Sequence, residues 1–213
     1  AGLNYLTPVN NSFLAHNETT VAELVKPAGY ATCFIGKWHL GGKGYLPTDQ
    51  GFDENFGGWD YGQPPSYFDP YTNKRLQEGI PTLKPRKEGE YLTDREADEA
   101  VGFIRRNKDK PFLLYLSHYT VHTPIQAKQS VTEKYIPLKD GKGQDNATYA
   151  SMLESLDDSM GRLFETLEAH ELTDNTVIIF TGDNGGLDRN DNPTDNAPLK
   201  IGKGFATEGG IRV

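Results

Sequence analysis

Three short polar segments combine residue types that could bind an anionic group and move protons. They are residues 36–39, 117–122 and 182–186, and each follows a stretch that is predicted to be a strand. In the first segment, Lys37 and His39 are separated by one residue, so on extended backbone their side chains point the same way. A lysine beside an imidazole suits an oxyanion, and an imidazole also transfers protons near neutral pH. A solvated lysine and a surface histidine explain the same pattern without a site.

The third segment contains two oxygen donors for a hard cation. Asp183 supplies a carboxylate and Asn184 an amide oxygen, and such ligands suit Ca²⁺ or Mg²⁺. Two donors do not complete a calcium site, which takes about 6–8 oxygens, so further carboxylates must come from elsewhere. The alternative is an Asx turn that closes the preceding strand and holds no metal.

The second segment carries two histidines four residues apart. On a helix, His118 and His122 would form a metal-binding pair. The nearby Thr120, Val121 and Pro124 disfavour a helix, and we therefore expect no zinc site here. His122 is instead predicted to be presented by a rigid loop, or to be a structural histidine.

Lys203 is a further candidate cation near the end of the sequence. It lies between Gly202 and Gly204, and Gly209 and Gly210 follow shortly after. Glycines on both sides suggest that the backbone comes close to another group. A common Gly-Lys-Gly turn would show the same pattern.

Alternating helices and strands are predicted to position these side chains. The predicted helices cover residues 18–28, 93–107 and 147–170, and the predicted strands cover residues 30–35, 111–117 and 176–181. We expect a capping box at the start of the second helix, and burial on both faces for the last two strands. This alternation is typical of an α/β sheet with right-handed crossovers, in which ligands bind beyond the carboxyl ends of the strands.

The composition of the sequence excludes some classes of function. The formal net charge of the 213 residues is −8, which excludes a polybasic nucleic-acid binder, and no apolar run has the length of a membrane span. The single cysteine, Cys33, excludes an intrachain disulfide and is predicted to be a core residue rather than a nucleophile.

Four blocks of the sequence resemble the sulfatase family, specifically its arylsulfatase A-like branch. The segment at 29–41 closely resembles the second signature of that family, with the sequence GYATCFIGKWHLG. Three further blocks follow in the family's order: GFD…GG at 51–58, PFLLYLS…HTP at 111–124, and TGDNGG, GKG and EGGIRV within 181–213.

The resemblance implies hydrolysis of sulfate esters, aryl or carbohydrate, on an alkaline-phosphatase-like α/β fold with a mixed or parallel sheet flanked by helices. By motif, Asp183 and Asn184 match the metal ligands of the family, normally for calcium. Lys37 and His39 match the pair beside the nucleophile and the sulfate. His122 and Lys203 match the sulfate-binding residues near the leaving oxygen. The family also implies an exported, periplasmic or lysosomal location.

The sequence departs from the family in one respect. The signature Cys/Ser-x-Pro-x-Arg, whose first residue becomes the formylglycine nucleophile, does not occur among the 213 residues. The paired aspartates that precede this signature in the family are therefore missing with it. We therefore expect a single partial catalytic domain at 1–213, with a long loop at about 42–90. The family's N-terminal strand and C-terminal subdomain are expected to be missing, and this chain alone is expected to be inactive.

Two other functions remain open from the sequence. One is a phosphodiesterase or phosphonate hydrolase of the same superfamily, and the other is a non-catalytic binder of sulfated sugars. For the sugar-binding role, aromatic side chains of the long loop could stack on sugar rings, although core packing explains them equally. These side chains are Trp59, Tyr61, Tyr67, Phe68 and Tyr71.

Overall fold

The computed structural model describes residues 12–138, 145–188 and 193–212. Within these residues the chain forms two compact units, divided between Tyr119 and Thr120. The first unit contains a small parallel sheet and the helices that cover it. The second unit contains two packed helices and a compact glycine-rich segment.

The sheet of the first unit has three parallel strands in the order β2-β1-β3. Strand β1 is Ala31–Gly36, β2 is Glu54–Phe56 and β3 is Phe112–Ser117. The central β1 is buried from residue 32 to residue 36, as expected for a strand with a neighbour on each side. Strand β3 is only half-buried and Tyr115 is 49% exposed, so the prediction that it is buried on both faces was wrong.

Helix α1 is shorter than predicted. It covers Val21–Val25 and continues as a 3₁₀ turn at Lys26–Ala28, because Pro27 cannot donate a backbone hydrogen bond. Thr20 and Glu23 form a capping box at its start. Gly29 follows the turn with a φ of 81°, and β1 begins two residues later.

Helix α2 covers Leu92–Asn107 and packs against β1 and β3. Its buried face includes the predicted inward residues Ala97, Ala100, Val101 and Ile104, which confirms the amphipathic pattern. The predicted capping box at residues 93–96 was wrong. The helix begins one residue earlier, after Tyr91, and Thr93 and Glu96 are buried against the protein instead of capping the end.

Aromatic side chains fill the core on one side of the sheet. The Phe34 ring lies edge-on to those of Trp38 and Phe52, with centroids 5.0 and 5.5 Å apart. Ala22 of α1 completes this cluster, which is how the short helix is held against the sheet. Burying such rings is the main contribution that a small core makes to stability.

The second unit is built around α3 (Gln129–Tyr135) and α4 (Ala147–Ala169), which pack together, and ends with α5 (Glu208–Ile211). Asn146 caps α4 by accepting a hydrogen bond from the Tyr149 amide at 2.9 Å. The predicted apolar face of α4 is partly correct. Met152, Leu163 and Leu167 are buried, but Leu153 and Phe164 are 44% and 47% exposed, and serines take up part of the buried face.

The third predicted strand, at residues 176–181, was wrong for the described structure. This segment has no strand assignment, and Val177, Ile179 and Phe180 are 88%, 84% and 70% exposed. An apolar run predicts a strand from its composition, but a strand also needs a neighbour for its ladder of hydrogen bonds. None of the described residues pairs with this segment in a ladder.

The end of β1 depends on a glycine, and this dependence can be tested. Gly36 has a φ of 95°, and a Cβ there would lie 2.0 Å from the Ser117 carbonyl oxygen. We expect Gly36→Ala to lower the free energy of unfolding by more than about 3 kcal/mol, because it adds a backbone collision to left-handed strain. Denaturant unfolding followed by tryptophan fluorescence measures this, since both tryptophans, Trp38 and Trp59, lie in the first unit.

Gly29→Ala is the matched control. Gly29 also has a positive φ, of 81°, but a Cβ there would meet no atom within 4 Å. Gly29→Ala should therefore lower the free energy of unfolding only by the left-handed strain, about 1–2 kcal/mol. Equal losses in the two variants would contradict the close approach of Gly36 to Ser117.

The start of β2 should become less stable in acid. Asp53 accepts hydrogen bonds from the Thr32 amide and hydroxyl, at 2.9 and 3.0 Å, and lies 2.8 Å from the Lys26 ammonium. Burial acts to raise the pKa of Asp53, but the bonds from Lys26 and Thr32 outweigh it and lower the pKa. A lowered folded-state pKa stabilises the fold above the ordinary aspartate pKa of about 3.9, and this stabilisation is lost as the pH falls through the folded-state value.

We therefore expect Asp53→Asn to reduce the pH dependence of unfolding between about pH 5 and pH 2, measured by the same tryptophan signal. The exposed Asp60 provides the control variant, Asp60→Asn. If Asp53→Asn leaves the pH dependence of the free energy of unfolding unchanged, the Asp53 carboxylate does not stabilise the folded chain.

Candidate functional site

Lys37 leaves the carboxyl end of β1 in a fixed backbone position. Its amide donates to the Ser117 carbonyl at 2.7 Å, which extends the pairing of β1 and β3 by one residue. The next residue, Trp38, is buried and donates from its indole nitrogen to the Tyr45 carbonyl at 2.8 Å. The anchored tryptophan therefore holds the loop that carries Lys37 and His39.

His39 lies on the exposed side of this loop. Its φ is 51°, and its amide donates to the Trp59 carbonyl at 3.0 Å. The prediction that Lys37 and His39 share one side assumed an extended segment, and that assumption was wrong at His39. The ring packs closely over Gly62, where a Cβ would lie 2.7 Å from the imidazole Cε1.

A buried acid–imidazole pair lies behind the ends of β1 and β3. Glu96 of α2 is fully buried, and its Oε2 lies 2.6 Å from Nδ1 of His118, whose side chain is 6% exposed. Burial raises the pKa of Glu96, and the hydrogen bond from His118 acts in the opposite direction.

Sequence reasoning missed this pair. His118 was considered only as a partner of His122, and Glu96 only as part of a helix cap. The signal was present, because Glu96 is spaced four and seven residues before Ala100 and Phe103, on the face of α2 that is buried. A charged residue on an apolar helix face predicts a buried partner.

In the second unit, His122 is oriented by the residue that follows it. Its Nδ1 lies 3.1 Å from the Thr123 carbonyl oxygen and 3.2 Å from the Thr123 hydroxyl. Because a carbonyl can only accept, this contact favours a proton on Nδ1. The residue is half-buried, as expected for a loop that presents it.

The glycine-rich motifs of the second unit come together. The Lys203 amide donates to the Gly186 carbonyl at 2.9 Å, and the Gly185 amide donates to the Gly210 carbonyl at 3.0 Å. A Cβ on Gly185 would lie 1.7 Å from the Gly209 carbonyl oxygen, so only glycine allows this approach. The motif of Asp183 and the motif of Lys203 are therefore neighbours.

Asp183 and Asn184 fit a divalent cation by residue type but do not complete a site. Asp183 is exposed and Asn184 is half-buried, and both offer the oxygen atoms that calcium prefers. Among the residues that the structure describes, no group of three His, Cys, Asp or Glu side chains could hold a metal ion. Two donors can form only part of a calcium shell.

The site residues thus fall into two local groups. Lys37 and His39 follow β1 in the first unit, while Asp183 and Asn184 lie on the segment that contacts the Lys203 backbone in the second. His122 also belongs to the second unit. That all six side chains meet at one site stays a prediction from the sequence.

Two aromatic residues of the long loop cannot stack on a sugar. Tyr67 and Tyr71 are fully buried, and the Tyr67 hydroxyl donates to the Tyr119 carbonyl at 2.6 Å. Trp59, Tyr61 and Phe68 are partly exposed. Cys33 is fully buried, as predicted, and burial raises the pKa of its thiol.

The sulfatase family profile, described as "Sulfatase", matches residues 2–213. The chain belongs to the sulfatase family. It is 33% identical to human N-acetylgalactosamine-6-sulfatase, in an alignment that covers 92% of this chain and 38% of that protein. It is 29% identical to a sulfatase of Formosa agariphila, over 100% of this chain and 47% of that protein. The chain thus spans less than half the length of these sulfatases.

The fold agrees with this assignment. A crystal structure of Ps i-CgsB in complex with k-i-k-neocarrahexaose superposes with a TM-score of 0.77 and 33% identity, over 95% of this chain and 48% of that chain. The expected alkaline-phosphatase-like α/β fold, with a parallel sheet flanked by helices, is confirmed. Across the described residues, no helix is both long enough and apolar enough to cross a membrane.

The contact between Gly62 and the His39 ring can be tested without an activity. Gly62→Ala would place a methyl group 2.7 Å from Cε1 of His39, so we expect the exposed ring to be displaced. NMR signals of the His39 ring should shift, while the free energy of unfolding changes by less than about 1 kcal/mol, because an exposed ring can move.

Gly42→Ala provides the control on the same loop. A Cβ at Gly42 would lie 3.6 Å from the Asp60 Cβ, an ordinary contact, and should leave the His39 signals unchanged. Unchanged His39 signals in Gly62→Ala would refute the packing of the ring over Gly62.

Proposed function

We propose that the protein containing this chain hydrolyses sulfate esters of saccharides. The observation that carries the proposal is the loop after β1, where Lys37 and His39 flank an anchored tryptophan in a family whose curated members are named sulfatases. Sugar sulfates are favoured because the name of one relative specifies N-acetylgalactosamine 6-sulfate chemistry and one structural neighbour was solved with a neocarrahexaose.

In this proposal the cationic and imidazole side chains stabilise the charge of the reacting sulfate. Lys37 and His39 would act beside the nucleophile and the sulfate, and His122 and Lys203 would act near the leaving oxygen. Negative charge on that oxygen grows in the transition state, and preorganised donors stabilise it better than water does. The contact between His122 Nδ1 and the Thr123 carbonyl favours the tautomer with the proton on Nδ1.

Asp183 and Asn184 would hold a divalent cation, Ca²⁺ or Mg²⁺, together with donors beyond the described residues. A bound cation supplies Lewis acidity and a fixed positive charge at the sulfate. The nucleophile is proposed to be a formylglycine outside these 213 residues. Cys33 cannot serve, since it is buried in β1. Export or delivery to lysosomes remains the expectation from the family.

Sulfate release by the longer natural protein tests the proposal. With Ca²⁺ present, we expect turnover of sulfated saccharides, and we expect none from the 213-residue chain alone. Lys203→Ala or His122→Ala in the longer protein should lower kcat/KM by about 100-fold or more, the usual effect of removing one transition-state donor.

Lys200→Ala is the matched control, since Lys200 is exposed and lies three residues from Lys203. It should leave kcat/KM near the wild-type value. Faster hydrolysis of the matching phosphate esters would assign a phosphatase-type activity instead. Tight calorimetric binding of the sulfated saccharide without turnover by the longer protein would indicate a binding protein.

A further inference from the structure

The buried Glu96–His118 pair connects helix α2 to the end of strand β3. Oε2 of Glu96 lies 2.6 Å from Nδ1 of His118, so a proton must lie between these two atoms. With Glu96 fully buried and the His118 side chain 6% exposed, solvent screens this contact little. The pair therefore forms a short and directional connection between two elements of the first unit.

The same pair reaches the backbone on which Lys37 is mounted. Ser117, the neighbour of His118, accepts the hydrogen bond from the Lys37 amide at 2.7 Å. On the other strand, a Cβ on Gly36 would lie 3.2 Å from Oε1 of Glu96. The Glu96 carboxyl group thus lies beside Gly36, the residue before Lys37. His118 follows Ser117, whose carbonyl accepts the hydrogen bond from the Lys37 amide.

Burying the Glu96–His118 pair carries a desolvation cost. Oε1 of Glu96 is buried and has no hydrogen-bond partner among the residues that the structure describes. An apolar pair of similar volume would avoid that desolvation cost, so buried polar pairs are weak evidence for stability. What a carboxyl–imidazole pair provides, and an apolar pair does not, is a fixed distance and direction between α2 and the strand ends.

Tyr119, the residue after His118, is also held in place by its contacts. Tyr119 is buried, and its hydroxyl lies 3.4 Å from the Gly57 carbonyl oxygen. Burial, together with the charge of Glu96, raises the pKa of Tyr119, so this hydroxyl stays neutral. The backbone carbonyl of Tyr119 accepts a hydrogen bond from the Tyr67 hydroxyl at 2.6 Å. His118 is therefore held between two anchored neighbours, Ser117 and Tyr119.

We propose that Glu96 and His118 are positioning residues for Lys37: they share one proton, fix the ends of β1 and β3, and thereby set where the Lys37 side chain is presented. The role of Lys37 in binding an anion rests on the proposed function, but the positioning itself does not. Neither residue of the pair needs to contact the substrate.

Nuclear magnetic resonance on the full chain tests the positioning directly. The wild-type chain should show a far-downfield proton signal coupled to Nδ1 of His118, and Glu96→Gln should remove it. The same substitution should shift the ε-carbon and ζ-nitrogen signals of Lys37 in lysine-labelled protein. His118→Asn removes the pair from the strand side and should shift the same Lys37 signals.

The exposed carboxylate of Asp98, on the same helix, is the matched control. Its side chain is 43% exposed and lies 3.6 Å from the Lys87 ammonium, so Asp98→Asn should leave the Lys37 signals unchanged. Absence of the downfield signal in the wild type would overturn the proposal whatever the variants do. A lower free energy of unfolding in Glu96→Gln with unmoved Lys37 signals would also overturn it, since that is the result expected of a purely structural pair.

A double-mutant cycle in the longer natural protein adds a catalytic readout. Glu96→Gln should lower kcat/KM about tenfold when Lys37 is present and cause no further loss in Lys37→Ala, because the pair acts through Lys37. Equal losses in both backgrounds would contradict the positioning role. If no sulfate ester is turned over at all, the proposed function fails, while the Lys37 signals still decide the positioning proposal.

Discussion

The close approach of Gly36 to Ser117 is the contact on which the first unit depends. The parallel pairing of β1 with β3 runs to this point, and the Lys37 amide continues it for one more residue. A side chain at position 36 would collide with the Ser117 carbonyl, so the two strands could not end together. Because the strands end at the same level, the loops that leave them begin side by side. The candidate site residues of this unit are positioned by that backbone contact before any side-chain interaction is considered.

The same physical constraint operates in the second unit, in a different form. There the glycines do not follow a strand. They let three chain segments contact each other through backbone atoms alone, because Gly185 lies against Gly209 and Gly202 lies against Gly186. Amides and carbonyls satisfy one another at these contacts, as the bond from Lys203 to Gly186 shows. The positions of the glycines in these motifs therefore determine where the backbone segments come close together. The candidate site residues lie beside these glycines in the sequence.

Local patterns in the sequence predicted the elements whose formation depends on nearby residues. Helix α2 followed from its apolar spacing, and β1 followed from its apolar run between glycines. The errors came where distant partners decide. The run at residues 176–181 has the composition of a strand, but no described residue pairs with it, and its side chains are exposed. The pairing of Glu96 with His118, 22 positions apart, required knowing that α2 crosses the end of β3.

A remaining question is how a chain with a net charge of −8 would bind an anionic group. Charges on the surface are screened within about 8 Å at physiological salt, so acidic residues farther away than this would have little influence at the proposed site. Half-buried cations are screened less, and Lys37 and Lys203 are both of this kind. Anchoring matters as much as charge, because a lysine whose backbone is already fixed loses less freedom on binding. At the proposed site, a few cations with a fixed backbone would therefore matter more than the overall charge.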